Sequence, residues 1–269
     1  MVQMRSAARV TGGARRSVVS QPAKPNVDHI VIEDDTPVDS MFAEKQQRLS
    51  TEPLYSSWRG GKKRRRFVAM ANVGLFFNPE EPPLVPDTML SLDVSQPKDF
   101  SKKENNTYFV WTRGKVPDAV LEIVSDRRGG EETTKMRTYA KWGIPYYVIF
   151  DPRNVLRHGI VRAFVRIGVE YQPCDPAWLE GIGLGLILWK GAYEGSEATW
   201  LRWCDRAGRV IPTGREKAQR ERLRAKQAKQ RADKEQQRAD KEQQRADKEQ
   251  QRADKLAQQL RKLGADPVE

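Results

Sequence analysis

Three side chains in this sequence have the types and spacing to do chemistry together: Asp87, Glu122 and Lys135. Glu122 interrupts the apolar run Ala119-Val-Leu-Glu-Ile-Val124, where alternation puts Ala119, Leu121 and Ile123 on one face of a strand and Val120, Glu122 and Val124 on the other. A strand apolar on both faces is covered on both, and a carboxylate left alone inside it is costly or takes up a proton. Glu122 therefore needs a partner. A helix from Glu131 to Trp142 can bring one, because at 100° per residue Lys135 falls about 40° from Tyr139 and about 20° from Trp142 on the inner stripe. Asp87 adds a second carboxylate at the start of a short strand that follows the turn-rich Pro82 to Pro86. Two carboxylates on neighbouring strands with an ammonium above them offer oxygen ligands for a hard divalent cation and a point charge for a phosphate or an attacking water. That is the layout of a metal-dependent phosphodiesterase. The plainer reading of Glu122 and Lys135 is a buried ion pair that fixes register.

The elements that must position these residues are legible around them. Glu131 and Glu132 open the helix, Lys141 stands near its end and Gly143 can cap it in the left-handed conformation. Upstream, Val27 to Ile32 reads as a strand, Met41 to Leu49 as a helix, and Phe67 to Phe77 and Tyr108 to Trp111 as strands. Glu44, on the first helix, is a further candidate ligand set against an ordinary exposed glutamate. Downstream, Ile160 to Val165 and Glu170 to Gln172 form hairpin strands around Gly168, and Trp200 to Cys204 pairs with Arg209 to Ile211 around Asp205 to Gly208. A second Pro-Asp, Pro117-Asp118, is a lesser rival for the first acidic position. His29 and His158 are the only histidines and are far apart, so a histidine-based nucleophile or metal cluster is not expected.

The order Pro86-Asp87, Glu122 in a hydrophobic strand followed by Ser125, Lys135 four residues before Tyr139, and then Gly143-Ile-Pro-Tyr-Tyr-Val-Ile-Phe-Asp-Pro152 resembles the Uma2 family. This is a bacterial family of restriction-endonuclease-like proteins within the PD-(D/E)xK nuclease superfamily. The resemblance runs from about Asp28 to Gly214. It implies an α/β fold, a restriction-endonuclease-like mixed sheet flanked by helices. The sequence departs from the superfamily pattern at one place, because the lysine expected two residues after Glu122 is Val124. By resemblance Lys135 takes its role, reaching the same site from the helix.

Four segments are expected: a disordered basic arm (1–26), the nuclease-like domain (27–214), a heptad-repeat helix (215–264) and a short tail (265–269). The arm holds Arg5, Arg9, Arg15, Arg16 and Lys24 and no acid before Asp28. Lys62, Lys63, Arg64, Arg65 and Arg66 form a cationic block after Gly60-Gly61, which reads equally as a DNA-contacting loop or as a solvated insertion. With a formal net charge of +12 and pI near 9.7, the chain suits a polyanionic partner. Cys174 and Cys204 lack metal-ligand spacing, and two free thiols suit a reducing, cytoplasmic setting. No apolar run approaches the ~20 residues that span a bilayer, so no membrane partner is expected.

From Arg215 the composition changes, and RADKEQQ recurs from Arg231, Arg238 and Arg245. Counting in sevens, one column holds Ala218, Ala225, Ala232, Ala239, Ala246, Ala253 and Leu260, and the column three residues on holds Glu221, Ala228, Glu235, Glu242, Glu249, Leu256 and Leu263. Helix is favoured by propensity and by charge pairs three and four apart. A seam of alanine and glutamate buries little, so a homodimer or oligomer through this coiled-coil candidate would zip only at Leu256, Leu260 and Leu263.

Together these readings predict a Mg²⁺-dependent DNA endonuclease, with Mn²⁺ as an alternative ion. Asp87 and Glu122 hold the metal, the Ile123 carbonyl is a further ligand, and Lys135 orients the water or offsets phosphate charge. Removing Asp87 is expected to relieve repulsion and not to lower stability. The second reading is the same fold with its chemistry weak or lost, kept for DNA binding or for assembly through the helical tail. Val124 favours it.

Overall fold

The computed structural model describes residues 40–61, 63–78, 80–101, 105–125 and 130–262. The basic arm, the strand expected at Val27 to Ile32, Lys62, Leu263 and the tail lie outside them.

The first helix, α1 (Met41–Pro53), is started by Ser40, whose Oγ accepts from the Ala43 amide at 3.1 Å. Its buried face carries Ala43, Gln46, Gln47, Leu49, Ser50 and Pro53, and a π-turn, Leu54–Trp58, carries it to a left-handed stop at Arg59. Strands β1 (Phe67–Ala71), β2 (Leu75–Phe76), β3 (Thr88–Leu92) and β4 (Tyr108–Phe109) follow, then the single turn α2 (Val110–Arg113) and strand β5 (Ala119–Ile123). A π-turn, Glu131–Lys135, leads into α3 (Met136–Trp142), and β6 (Tyr146–Phe150), β7 (Val161–Ile167) and β8 (Glu170–Cys174) complete the main sheet. A long hairpin, β9 (Gly185–Tyr193) and β10 (Ser196–Cys204), precedes α4 (Gly214–Lys262).

The fold is mixed α/β. The six-stranded sheet has the order β1-β3-β5-β6-β7-β8 and is antiparallel except between β5 and β6, which the α3 connection makes parallel. β5 lies inside the sheet and is buried along its whole length, as its two apolar faces require. Ala119, Leu121 and Ile123 face α1 and the β9–β10 hairpin, joining Leu90, Phe150, Leu201 and Trp203 in one core. Val120 and Val124 face the other way, with Met89, Tyr139, Trp142, Tyr147 and Ile149. The expected alternation is therefore the observed one. Buried Gln46 ties α1 to the hairpin, its Oε1 accepting from the Leu201 amide at 3.0 Å and its Nε2 donating to the Leu201 carbonyl at 2.8 Å.

Three expected strands are drawn differently. Phe67 to Phe77 is broken after Ala71, where Asn72 turns left-handed with φ 52°, leaving β1 and the separate β2. Tyr108 to Trp111 is a strand only through Phe109 and then turns helical. Trp200 to Cys204 does approach the downstream segment, with a bridge from Cys204 to Val210, but its main partner is β9. The sequence of β9 lacks an alternation of apolar and polar residues, and that hid the hairpin.

The C-terminal helix starts one residue earlier than expected, on a capping box. Thr213 Oγ1 accepts from the Glu216 amide at 3.1 Å, and Glu216 Oε2 accepts from the Thr213 amide at 2.8 Å. The same Glu216 receives the buried Arg202 guanidinium through both oxygens, at 2.8 and 2.7 Å. Beyond its first turns α4 is exposed as far as Leu256, and Gln236, Gln243 and Gln250 each donate to the aspartate one turn on. No helix among the described residues is long and apolar enough to cross a membrane.

Candidate active site

Asp87 stands immediately before β3, and Glu122 is the fourth residue of β5. The antiparallel register pairs Thr88 with Leu121, which makes the two acids neighbours across the strands. The Ile123 amide donates to Asp87 Oδ2 at 2.6 Å, and Gln47 of α1 donates to Asp87 Oδ1 at 3.2 Å. Gln47 Oε1 accepts from Asn72 at 3.2 Å, so the break after β1 is built into the site.

Glu122 has no exposed surface. Tyr139 donates to its Oε1 at 2.7 Å and Lys135 to its Oε2 at 3.0 Å. The partner that burial demanded is thus a lysine and a tyrosine from one helical face. The π-turn sets this up: Gly130, left-handed at φ 70°, lets its carbonyl accept from the Lys135 amide at 3.1 Å, five residues on. Lys135 keeps 28% of its side chain exposed, and Glu131 Oε1 lies 3.9 Å from its Nζ.

The charges in this cluster strain against one another. Burial, and then the neighbouring charge of Asp87, push the Glu122 carboxyl up to about 8, while Lys135 and Tyr139 act in opposition. Burial also raises Asp87, against the Ile123 amide and Lys135. Burial works to lower Lys135, yet Glu122, Glu131 and Asp87 together hold it above its ordinary value. Burial keeps the Tyr139 hydroxyl protonated and therefore a donor. Burial and the nearness of the two acids thus favour a proton on Glu122 beside a charged lysine. A hard divalent cation can take the place of that proton, so the donor chemistry of Asp87 and Glu122 fits such an ion. Among the described residues no group of three or more His, Cys, Asp or Glu side chains gathers as a metal cluster.

The other candidates lie elsewhere or act differently. Asp118 is held by Lys115 at 2.5 Å and by the Leu92 amide at 2.7 Å, at the opposite end of β5 from Glu122. Glu44 pairs with Arg48 at 2.7 Å on the exposed face of α1. Ile123, whose carbonyl was expected as a further ligand, lies beside Asp87, to which its amide donates. Val124 is buried in the core beneath α3. Lys63 and Arg64 are exposed, Arg65 pairs with Asp93 and Arg66 donates to Ser95 at 3.0 Å, all at the far end of β3 from Asp87. Free Cys174 and Cys204 take no part.

Gln47 and Glu131 are site residues that sequence reasoning passed over, and Tyr139 was read only as part of a stripe. The signal for Gln47 was a polar side chain at helical spacing from Ala43 and Ser50 on a buried face. A second cluster steadies the π-turn: Glu132 Oε1 accepts from Arg162 of β7 and lies 2.8 Å from His158 Nδ1. Arg162 pairs in register with Ile149, which pairs with Glu122, so this cluster lies two strands along the sheet from the buried acid. A cavity of about 380 Å³ begins at Ile123, Val124 and Ser125 and runs toward Phe42 and Arg153.

Residues 36–176 match the model of the Uma2 family, whose description is "Putative restriction endonuclease". No curated protein matches the chain. Among solved structures it is similar to the crystal structure of a "putative nuclease belonging to DUF820" from Anabaena variabilis, with 18% identity and a TM-score of 0.38 over 53% of this chain and 73% of that one.

Proposed function

The chain belongs to the Uma2 family of restriction-endonuclease type, and from that premise we propose that it hydrolyses phosphodiester bonds in DNA with a divalent cation, Mg²⁺ or Mn²⁺, held by Asp87 and Glu122. The observation that carries this reading is the pair of adjacent acids in which Glu122 is fully buried and the two carboxyls are answered by a single lysine. A purely structural carboxylate is better served by one acid and one base. When bound, the cation supplies Lewis acidity toward a phosphate oxygen and acidifies water. The chain's own groups do the rest. The Ile123 amide and Gln47 aim Asp87, Tyr139 aims Glu122, and Glu132 with Arg162 steadies the turn that carries Lys135. Lys135 Nζ, fixed through Glu122 yet partly exposed, has protons left to donate to a scissile phosphate or to orient the attacking water.

Within this reading residues 27–214 are the nuclease domain. The C-terminal helix assembles copies through Leu256, Leu260 and Leu263, and the free thiols belong in a cytoplasmic, reducing compartment. Calorimetric titration of Mn²⁺ into wild type and Glu122→Gln, beside cleavage of supercoiled and linear DNA, is the test. Binding and cleavage in the wild type and loss of both in the variant are expected. No ion binding by either protein, with or without DNA, overturns the metal-dependent reading. That outcome leaves the second one, a non-catalytic module for DNA binding or assembly, which the burial of Val124 at the expected lysine position favours.

A further inference from the structure

A second groove, of about 730 Å³, opens at the other end of the sheet. Its walls come from three loops and include Trp58, Lys63, Arg65, Trp178, Arg206 and Arg209. The topology separates it from the acids. Arg65 and Arg66 lead into Phe67, which pairs with Leu92 at the end of β3, whereas Asp87 precedes the start of β3. Gly181, on the opposite wall, donates to the hydroxyl of Tyr146, which pairs with Ala119 at the start of β5. At ~3.3 Å per residue, strands of this length put roughly 15 Å between the groove and the acids.

Size, charge and aromatic content agree on an occupant. The volume falls within the roughly 300–1,000 Å³ typical of ligand pockets. Asp205 in the lining is answered by Arg209 at 2.8 Å, and Arg65 is answered by Asp93. Glu180 accepts from the Trp178 indole. Lys63 and Arg206 are exposed, and no ion pair among the described residues engages either. The Arg206 guanidinium instead lies over the Trp178 ring, 5.6 Å from its centroid, so that a planar cation and a partly exposed indole stand stacked together. Aromatic platforms within a basic groove bind single strands, whose bases are free to stack, in preference to a duplex, whose base faces are already covered.

We propose that this groove is a second nucleic-acid site that takes an unpaired segment of a DNA strand, one base stacking at Trp178 and flanking phosphates meeting Lys63 and Arg206. The proposal deepens the nuclease reading and rests on it for the choice of nucleic acid as the polyanion. A segment held here is kept at a fixed distance from Asp87 and Glu122.

The test is fluorescence anisotropy of a labelled oligothymidylate, and of a duplex of equal length, with the full chain in EDTA, so that cleavage plays no part. Trp178→Ala is expected to weaken single-strand binding about 5- to 150-fold, the loss of one stacked base, and to leave duplex binding nearly unchanged. Lys63→Glu with Arg206→Glu, both at exposed positions, should weaken it at least about tenfold and reduce the salt slope by about 0.7 for each phosphate that is no longer neutralised. Lys190→Glu on the exposed side of β9 serves as the charge-matched control for each groove reversal made singly and should do neither. Single-strand affinity unchanged in both groove variants overturns the proposal, as does an equal loss from Lys190→Glu. Oligothymidylate binding that depends on Trp178 in a protein that never cleaves DNA would sink the nuclease reading and leave the groove standing. Cleavage with no dependence of binding on Trp178 would do the reverse.

Discussion

The amide of Ile123 donates to Asp87 Oδ2 at 2.6 Å, so the residue that follows one acid in β5 holds the other acid in place. Removing Asp87 is therefore not the simple relief of repulsion that two adjacent carboxylates lead one to expect. Asp87→Ala leaves that amide without its acceptor and should lower stability by about 1–3 kcal/mol in urea denaturation. Asp87→Asn keeps an oxygen in place and should cost less. Both variants should lose ion binding.

Glu122 makes stability fall as pH rises. Its folded value of about 8 exceeds the ordinary 4.5, so between those values the folded state holds a proton that the unfolded state has released. The stabilisation is complete below about pH 4.5 and lost as pH climbs through about 8. Melting temperatures of metal-free protein from pH 5 to 9 should decline across that window, and Glu122→Gln should flatten the decline. A wild-type profile that rises through the window would refute the assignment.

Tyr139→Phe removes the donor to Glu122 Oε1 while keeping the ring in the core. Because that hydrogen bond favours the ionised carboxylate, its loss should push Glu122 further up, move the pH dependence of ion binding toward alkaline values and cost about 1–3 kcal/mol. Isothermal titration at several pH values reads the first two effects.

Lys135→Met should leave the fold in place, since Glu122 can remain protonated, yet lower the cleavage rate by roughly 10²–10³-fold, the usual loss on removing one charge-stabilising donor. Equal rates in variant and wild type would remove Lys135 from the reaction.

Self-association through α4 depends on a few leucines, because Leu256 is exposed and the rest of the seam is mainly alanine and glutamate. Leu256→Ala with Leu260→Ala should abolish any dimer seen by sedimentation velocity and leave the melting temperature of the body unchanged.

Much of this was legible in the sequence, and the misses have causes. β5 could be read because Glu122 broke an otherwise apolar alternation, and Lys135 because helical periodicity put it on the stripe with Tyr139. Gln47 was passed over in favour of Glu44 because charge drew attention to the residue that solvent was already satisfying. The break at Asn72 was hidden by apolar residues continuing on both sides of it. The β9–β10 hairpin turns on Glu194-Gly195, a signal that pairing only one of its strands with a later segment left unused. The groove brings Trp58 to Trp178 and Arg206, both more than a hundred positions away from it, and no local pattern announces such a meeting.

The root of α4 has a mechanical meaning. At 1.5 Å per residue, Leu256 rides about 63 Å along the axis from Gly214, on a shaft whose first turn is pinned by Thr213, Glu216 and Arg202. A load applied at the tip is therefore multiplied at the pin, where the Arg202–Glu216 bond and the Gly214–Glu52 bond carry it. Force reaching that point enters the body through β10, the strand whose backbone Gln46 grips on the neighbour of Gln47, so a tug on the distal helix arrives within one residue of the side chain that steadies Asp87.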